Sequence, residues 1–254
     1  MGKTALITGA TSGIGEATAR LLAEEGYDLI LTGRRSQRLR ALKKELEKDF
    51  RIEVLPLSFD VRDRQQCEAE LGSLPEGFRE IDLLVNNAGL AAGLEHIDKG
   101  DPNDWDAMVD TNVKGLLYIT RIVSGMMVRQ GRGHIVNIGS TAGTQPYENG
   151  AVYCATKHAV HALSQAMRAD LLRSGIKVTE IRPGMVETEF SVVRFHGDRE
   201  RAGDVYRGIV PLTGEDVAEA VVWAVSQPAH VNVDEIVITA SQQAGAYYTY
   251  RKEE

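Results

Sequence analysis

Cysteine is scarce: Cys67 and Cys154 are the only two in 254 residues, too few and too isolated for a disulfide framework or a cysteine-held metal. Both are expected as reduced thiols of a cytoplasmic protein. Basic excess is missing as well, since 29 lysines and arginines face 36 aspartates and glutamates. The net charge of -7 argues against nucleic acid and anionic membranes as partners. Long hydrophobic runs are absent, and stretches such as "DLLV" and "AVVWAV" fall well short of the roughly 18 residues that cross a bilayer. No charged-then-apolar leader opens the chain, because the alternating "KTALIT" runs straight into glycines, so no export is expected. Leu6 stands where myristoylation needs Ser or Thr, and no glycine precedes Gly2-Lys3-Thr4 at P-loop distance. Repeats, low-complexity tracts and a Pro/Gly/Ser linker are also lacking, so residues 1–254 read as one domain. What is present, 43% hydrophobic and 26% charged residues, suits a buried core.

Short β-rich runs alternate with helix-periodic stretches: "ALIT" then 14–25, "DLILT" then 36–48, "IEVLPL" then 63–72. The alternation continues with "IDLLV" and one long helix over about 103–129, then "HIVNI" and a helix over about 151–173. "IKVTEI", a helix in "EDVAEAVVWAVS" and a last strand in "DEIVITA" complete the series. The pattern predicts an α/β fold, a doubly wound sheet of about seven mainly parallel strands with helices on both faces. Two stretches break the alternation, 139–150 and about 183–214. Both follow strands at the end where open α/β sheets bind ligands, so they are expected to wall a substrate pocket.

"TGATSGIG", Thr8 to Gly15, follows a strand and opens a helix, the context of a dinucleotide-binding turn; the alternative is a merely tight βα turn. Gly9 would permit the sharp turn, Gly13 close approach of backbone to pyrophosphate, and Gly15 close packing of the helix. Backbone N–H groups at the helix start, around Thr11, Ser12 and Ile14, would then face phosphate. Tyr153 and Lys157 are four residues apart, one helical turn, so they share a face. A free phenol has a pKa of about 10, and a neighbouring ammonium favours the phenolate, so the expected shift is downward. Tyr153 would then take the proton of an alcohol or give one to a carbonyl oxygen, although such pairs also arise by chance. Asn112 falls inside the long predicted helix, where asparagine is a mediocre helix former, and such a misfit suits a functional site.

"TGATSGIG", "NNAG" at 86–89, Asn112, Ser140, "YCATK" at 153–157 and "PGMVET" at 183–188 together resemble the short-chain dehydrogenase/reductase family along essentially the whole chain. The resemblance implies hydride transfer between a nicotinamide and a carbonyl or alcohol. It gives Lys157 a second task, bonding the nicotinamide ribose, and gives Asn112 a water that links Lys157 to solvent. Ser140, thirteen residues before Tyr153, would orient substrate and donate to the reacting oxygen. Thr188, after Pro183, Gly184 and Val186, would bind the carboxamide. Asn87, Ala88 and Gly89 would line the adenine-ribose side, beside Val61. Asp60 would accept from the adenine amino group or else cap the next helix. Cys154 adjoins Tyr153 but faces another way, as helix neighbours do, so it is read as packing. Many members are tetramers, which makes a homotetramer the expected assembly, and the terminal "AGAYYTYRKEE" is then either an arm toward a neighbour or a frayed end.

Arg34 and Arg35, in "LTGRR", stand where an NAD enzyme commonly carries an acidic side chain. They predict NADP over NAD, the alternative being a solvated basic helix start. "VETEFSVVRFHGD", 186–198, resembles the branch acting on 3-hydroxy acids such as serine, allo-threonine and 3-hydroxyisobutyrate. Arg194 would clamp the substrate carboxylate with its planar fork of donors, unless it pairs with Glu187, Glu189 or Asp198. A broad carbonyl or pterin reductase, or a dinucleotide-binding regulator without chemistry, are the competing functions.

Overall fold

The computed structural model describes residues 2–252. Seven strands form one sheet: β1 (Thr4–Thr8), β2 (Asp28–Gly33), β3 (Val54–Ser58), β4 (Leu83–Asn86), β5 (Gly133–Ile138), β6 (Ile176–Pro183) and β7 (Glu235–Ile238). Their order is β3-β2-β1-β4-β5-β6-β7 and each neighbouring pair is parallel. Parallel strands need crossovers, and helices supply them on both faces: α1 (Gly13–Glu24), α2 (Ser36–Asp49), α3 (Arg64–Gly72), α4 (Pro102–Val109), α5 (Leu116–Gln130) and α6 (Ala151–Leu171), with α9 (Gly214–Val225) before the last strand.

Side-chain alternation along the strands feeds two cores. Ala5 and Ile7 of β1, Leu29 and Leu31 of β2, and Leu83 and Val85 of β4 pack with Leu22, Leu39 and Val217 on one face. Leu6, Ile30 and Leu84 point the other way, to Leu71, Ile119, Val123 and Val160. Strands buried on both faces therefore read as continuous apolar runs.

Three expectations are corrected. The helix anticipated over 103–129 is interrupted by a π turn, Asp110–Gly115, which carries Asn112. The 183–214 stretch is not irregular but holds two short helices, α7 (Glu189–Arg194) and α8 (Arg199–Asp204), each too short to show a helical period. The tail does not fray before Lys252. Its Gln243 and Thr249 form an antiparallel bridge, and Lys252 N donates to Gly208 O at 2.8 Å, so it folds back on its own chain. Glu253 and Glu254, also named in that expectation, lie outside the described residues.

A buried histidine in the sheet makes stability depend on acid. His134 on β5 is 6% exposed, and its Nε2 lies 2.8 Å from Thr179 Oγ1. Thr179 donates its own proton to Val233 O, so the ring must donate to Thr179. Burial, helped by the charge of Lys177, pushes the imidazole down to about 3. The unfolded chain takes up this proton below about 6.5 while the native state refuses it until about 3, so stability falls as pH drops through that window. The loss from this group at pH 5 is about 2 kcal/mol. His134→Gln keeps a donor and cannot titrate. Urea unfolding at pH 7.5 and 5.0 should therefore show an acid-induced loss smaller by about 2 kcal/mol in the variant, and equal losses would contradict the assignment.

Candidate functional site

Strand order reverses between β1 and β4, and a cleft opens beyond their carboxyl ends. Its volume is about 560 Å³, and its lining includes Gly9, Thr11, Ser12, Gly13, Ile14, Arg34, Arg35, Asp60 and Val61. Asn87, Ala88, Gly89, Ser140, Tyr153, Lys157, Pro183, Gly184, Val186, Thr188 and Arg194 line it too. Gly15 and Asn112 stand behind this wall.

The glycine turn is built by close approach. Gly9 has φ 68° and Gly13 φ 55°, left-handed conformations that disfavour a side chain. A Cβ on Gly15 would come within 2.4 Å of both Asn87 Nδ2 and Gly9 O, so this glycine lets α1 pack on the turn. Asn87 does more than line the cleft: its Nδ2 donates to Thr8 O at 2.9 Å, and its own N–H and that of Ala88 donate to Thr8 Oγ1. The turns after β1 and β4 are thereby locked together. Ser12 makes no capping bond at the start of α1, which leaves the helix N-terminus open toward the cleft for an anion.

The basic rim differs from the simple picture of two free arginines. Arg35 donates from Nε and Nη2 to Thr11 Oγ1 at 2.9 and 2.7 Å, and from Nη2 to Ser12 Oγ at 2.7 Å. Its Nη1 reaches Glu189 Oε2 at 2.6 Å. Arg38, one turn further along α2, grips the same carboxylate at 2.9 Å. Sequence reading missed Arg38, although its i,i+3 spacing from Arg35 was a usable signal. An arginine pair already holding a carboxylate is a donor set fit for a phosphate. Asp60 does not cap α3, because Asp63 does that by accepting from Gln65 N and Gln66 N. Asp60 instead meets Arg62, whose Nη2 lies 2.7 Å from Oδ2, with Arg34 at 4.0 Å. Burial acts to raise its pKa, but the bonds and charge of Arg62 hold the carboxyl below its ordinary value.

At the other end of the cleft, Lys157 is 7% exposed and donates to Ile138 O at 2.9 Å. Its ammonium lies 6.0 Å from the centre of the Tyr153 ring. Burial pushes it down to about 8, partly opposed by Glu180. The expected downward shift of Tyr153 is not found. Burial pushes its phenol well above the ordinary value, aided by Tyr147, while Ser140 and Arg194 pull the other way more weakly. Desolvation of a phenolate outweighs a cation held mainly by a backbone carbonyl. Ser140 lies in the cleft and accepts from Ala142 N at 3.1 Å. Asn112, 2% exposed, spends its side chain on Leu90 N, Leu90 O and Thr156 Oγ1 at 2.8 to 3.0 Å. It therefore pins the β4 loop to α6. Thr188 caps α7 by accepting from Phe190 N at 3.2 Å, and its methyl faces Gly13. Cys154 packs with Ala91, Met108 and Ala142.

Arg194 has no acidic partner among the described residues. Glu189 is held by Arg35 and Arg38, and Asp198 caps α8 by accepting from Arg201 N. The guanidinium donates to Gly93 O at 3.1 Å and Tyr147 Oη at 3.2 Å. It sits 5.7 Å from the ring centres of both Tyr147 and Tyr153. Its Nη2 is buried without a hydrogen-bond partner. Tyr147 carried no sequence signal, since only the fold brings it to Arg194. Outside the cleft, His161, Glu180 and Glu235 bring ligand-type atoms within 4.8 Å, but Arg182 Nη2 lies 2.6 Å from Glu235 and opposes a cation there.

A family model described as short chain dehydrogenase matches residues 3–198. An NADP-dependent 3-hydroxy acid dehydrogenase of Salmonella typhi is 50% identical over 242 residues, covering 95% of this chain and 96% of its own. A serine 3-dehydrogenase of Agrobacterium fabrum is 43% identical over 253 residues, covering 99% and 100%. Among solved structures, the closed form of a serine dehydrogenase complexed with NADP+ matches with a TM-score of 0.92 at 46% identity, covering 98% of this chain and all of that one. Half identity along nearly the whole length leaves no room for a mere likeness of fold, and this protein belongs to the short-chain dehydrogenase family.

Proposed function

We propose that this protein is an NADP-dependent oxidoreductase of small 3-hydroxy acids of the serine, allo-threonine or 3-hydroxyisobutyrate type. The observation that carries the substrate reading is Arg194: a guanidinium beside Tyr153 with a buried, unpartnered Nη2 and no carboxylate of its own. Leaving a buried donor unpaired costs about 1–3 kcal/mol, more for a charged group, and a substrate carboxylate removes that cost. The names of the relatives support the same substrate class and cofactor.

NADP supplies the hydride acceptor in oxidation and the donor in reduction. The open N-terminus of α1 with Gly9, Thr11, Ser12, Gly13, Ile14 and Gly15 would hold the pyrophosphate, and Arg34 and Arg35, with Arg38 beside them, the 2′-phosphate. Asp60, Val61, Asn87, Ala88 and Gly89 would flank the adenosine. Pro183, Gly184, Val186 and Thr188 would border the nicotinamide. Arg194 fixes the acid group, which sets the distance from carboxylate to carbinol carbon and so selects 3-hydroxy acids over plain alcohols. Ser140 orients the reacting oxygen. Tyr153 moves its proton, with Lys157 as the nearby cation and ribose ligand, and Asn112 holds the loop and helix that frame Lys157. The raised phenol pKa in the free protein keeps the proton on Tyr153, available for reduction although held more tightly; oxidation needs the phenolate and should quicken as pH rises.

No helix of the described residues is long and apolar enough to cross a membrane. We place the protein in the cytoplasm, on the two free and buried cysteines. A homotetramer is the assembly we infer, supported by the family and by exposed Leu117 and Val128 on α5.

The test is formation of reduced nicotinamide, followed by absorbance, across small 3-hydroxy acids and carboxylate-free alcohols with each cofactor. Catalytic efficiency is expected at least about tenfold higher with NADP than NAD, and higher for 3-hydroxy acids than for alcohols. Efficiency with NAD equal to that with NADP, or preference for the carboxylate-free alcohols, would contradict the proposal.

A further inference from the structure

The first residue of α7 reaches across the cofactor cleft to the basic rim. Glu189 and the two arginines are more than 150 residues apart in sequence, yet four N–O contacts of 2.6 to 3.0 Å join them. One carboxylate is shared by two guanidinium groups, and their hydrogen bonds, Arg35 first and then Arg38, hold its pKa low. The position is peculiar on two counts. Arg35 is immobilised on its other side by Thr11 and Ser12 of the glycine turn, so it offers Nη1 in a fixed direction, and Glu189 occupies that direction. Both walls of the cleft are thereby tied together: the rim after β2 and the helix that opens the 183–214 segment.

The side chains stay 42 to 50% exposed, so water screens the contact and it can be exchanged for another anion. A phosphomonoester carries close to two negative charges and three acceptor oxygens, a better partner for two arginines than one carboxylate.

We propose that Glu189 sits in the seat of the cofactor's 2′-phosphate, an internal anion that competes with the phosphate for Arg35 and Arg38, so that the phosphate displaces the Glu189 side chain while α7 stays in place. The inference rests on the NADP reading. It makes Glu189 a determinant of cofactor affinity and specificity that acts by subtraction: it weakens 2′-phosphorylated nucleotides and leaves unphosphorylated ones alone. Because linkage is reciprocal, occupation of the arginines by a phosphate must loosen the Glu189 contact by the same factor.

The full-length protein is titrated calorimetrically with adenosine 2′,5′-bisphosphate and with 5′-AMP, as wild type, Glu189→Gln and Glu189→Ala. Wild type should bind the bisphosphate at least about tenfold more tightly than AMP. Both variants should tighten the bisphosphate by about fivefold, which is about 1 kcal/mol, and leave AMP within about twofold. Wild type without preference for the bisphosphate would overturn the NADP reading itself. A wild-type preference that the variants leave unchanged, reduce, or match with an equal gain for AMP would overturn the competition alone. Unfolding midpoints equal to wild type confirm that the variants report on binding, and the two substitutions, one isosteric and one truncating, must agree for the proposal to stand.

Discussion

Tyr153→Phe is expected to lower turnover of a 3-hydroxy acid by about 100- to 10,000-fold while NADP affinity stays within about twofold of wild type. The phenol oxygen is the only atom removed. The ring keeps its edge-on contact with Phe190, at 5.8 Å between centres, and its place among Ala91, Met108 and Cys154. Folding should therefore be unaffected. Lys157→Ala should behave differently, because in the proposed chemistry the lysine serves both the proton and the ribose: turnover and cofactor affinity should both fall. The pair of variants separates proton transfer from binding, measured as single-turnover rates at saturating NADP and as nucleotide dissociation constants. Near-normal turnover in Tyr153→Phe would remove Tyr153 from the chemistry.

Periodicity made the sheet legible because each buried strand is a short apolar run bounded by polar residues, as in "DLILT" or "HIVNI". The glycines were legible because φ and close approach leave few other residues possible at Gly9, Gly13 and Gly15. Asn112 was visible both in the family resemblance and as a misfit in a helix, and the misfit marks the π turn. What escaped was decided by distance in space. Glu189 meets Arg35 and Arg38 only because α7 folds over the cleft, and Tyr147 meets Arg194 only because the loop before α6 curls beneath it. The six-residue helices of the 183–214 stretch leave no period to read. Asp60 was assigned by position, but Arg62, two residues on, claims its carboxylate. For the protein alone the Tyr153 shift runs upward for a related reason: sequence lists neighbouring charges, whereas desolvation depends on the whole packed surround.

Arg194→Leu is expected to reduce catalytic efficiency on 3-hydroxy acids by about 100- to 1,000-fold, since removing one partner of a buried, hydrogen-bonded charge pair costs about 2–5 kcal/mol. Arg194 also stacks near Tyr147 and donates to Gly93 O, so a structural share of the loss has to be separated from the substrate share. Substrate chemistry distinguishes the two. A structural arginine serves every substrate alike, whereas a carboxylate clamp serves only acids. Leucine keeps an aliphatic side chain in place of the arginine stem while removing the guanidinium, and the bond from Gly93 N to Arg194 O is backbone and survives.

The most direct measurement is the ratio of kcat/KM for 3-hydroxyisobutyrate to that for 2-methyl-1,3-propanediol, which replaces the carboxylate by a hydroxymethyl group, in wild type and in Arg194→Leu with NADP. The ratio should collapse by at least about 100-fold in the variant, with efficiency on the diol and affinity for NADP within about threefold of wild type. Equal losses on acid and diol, in a protein that folds and binds NADP normally, would show Arg194 to be structural and reopen the carbonyl reductase reading.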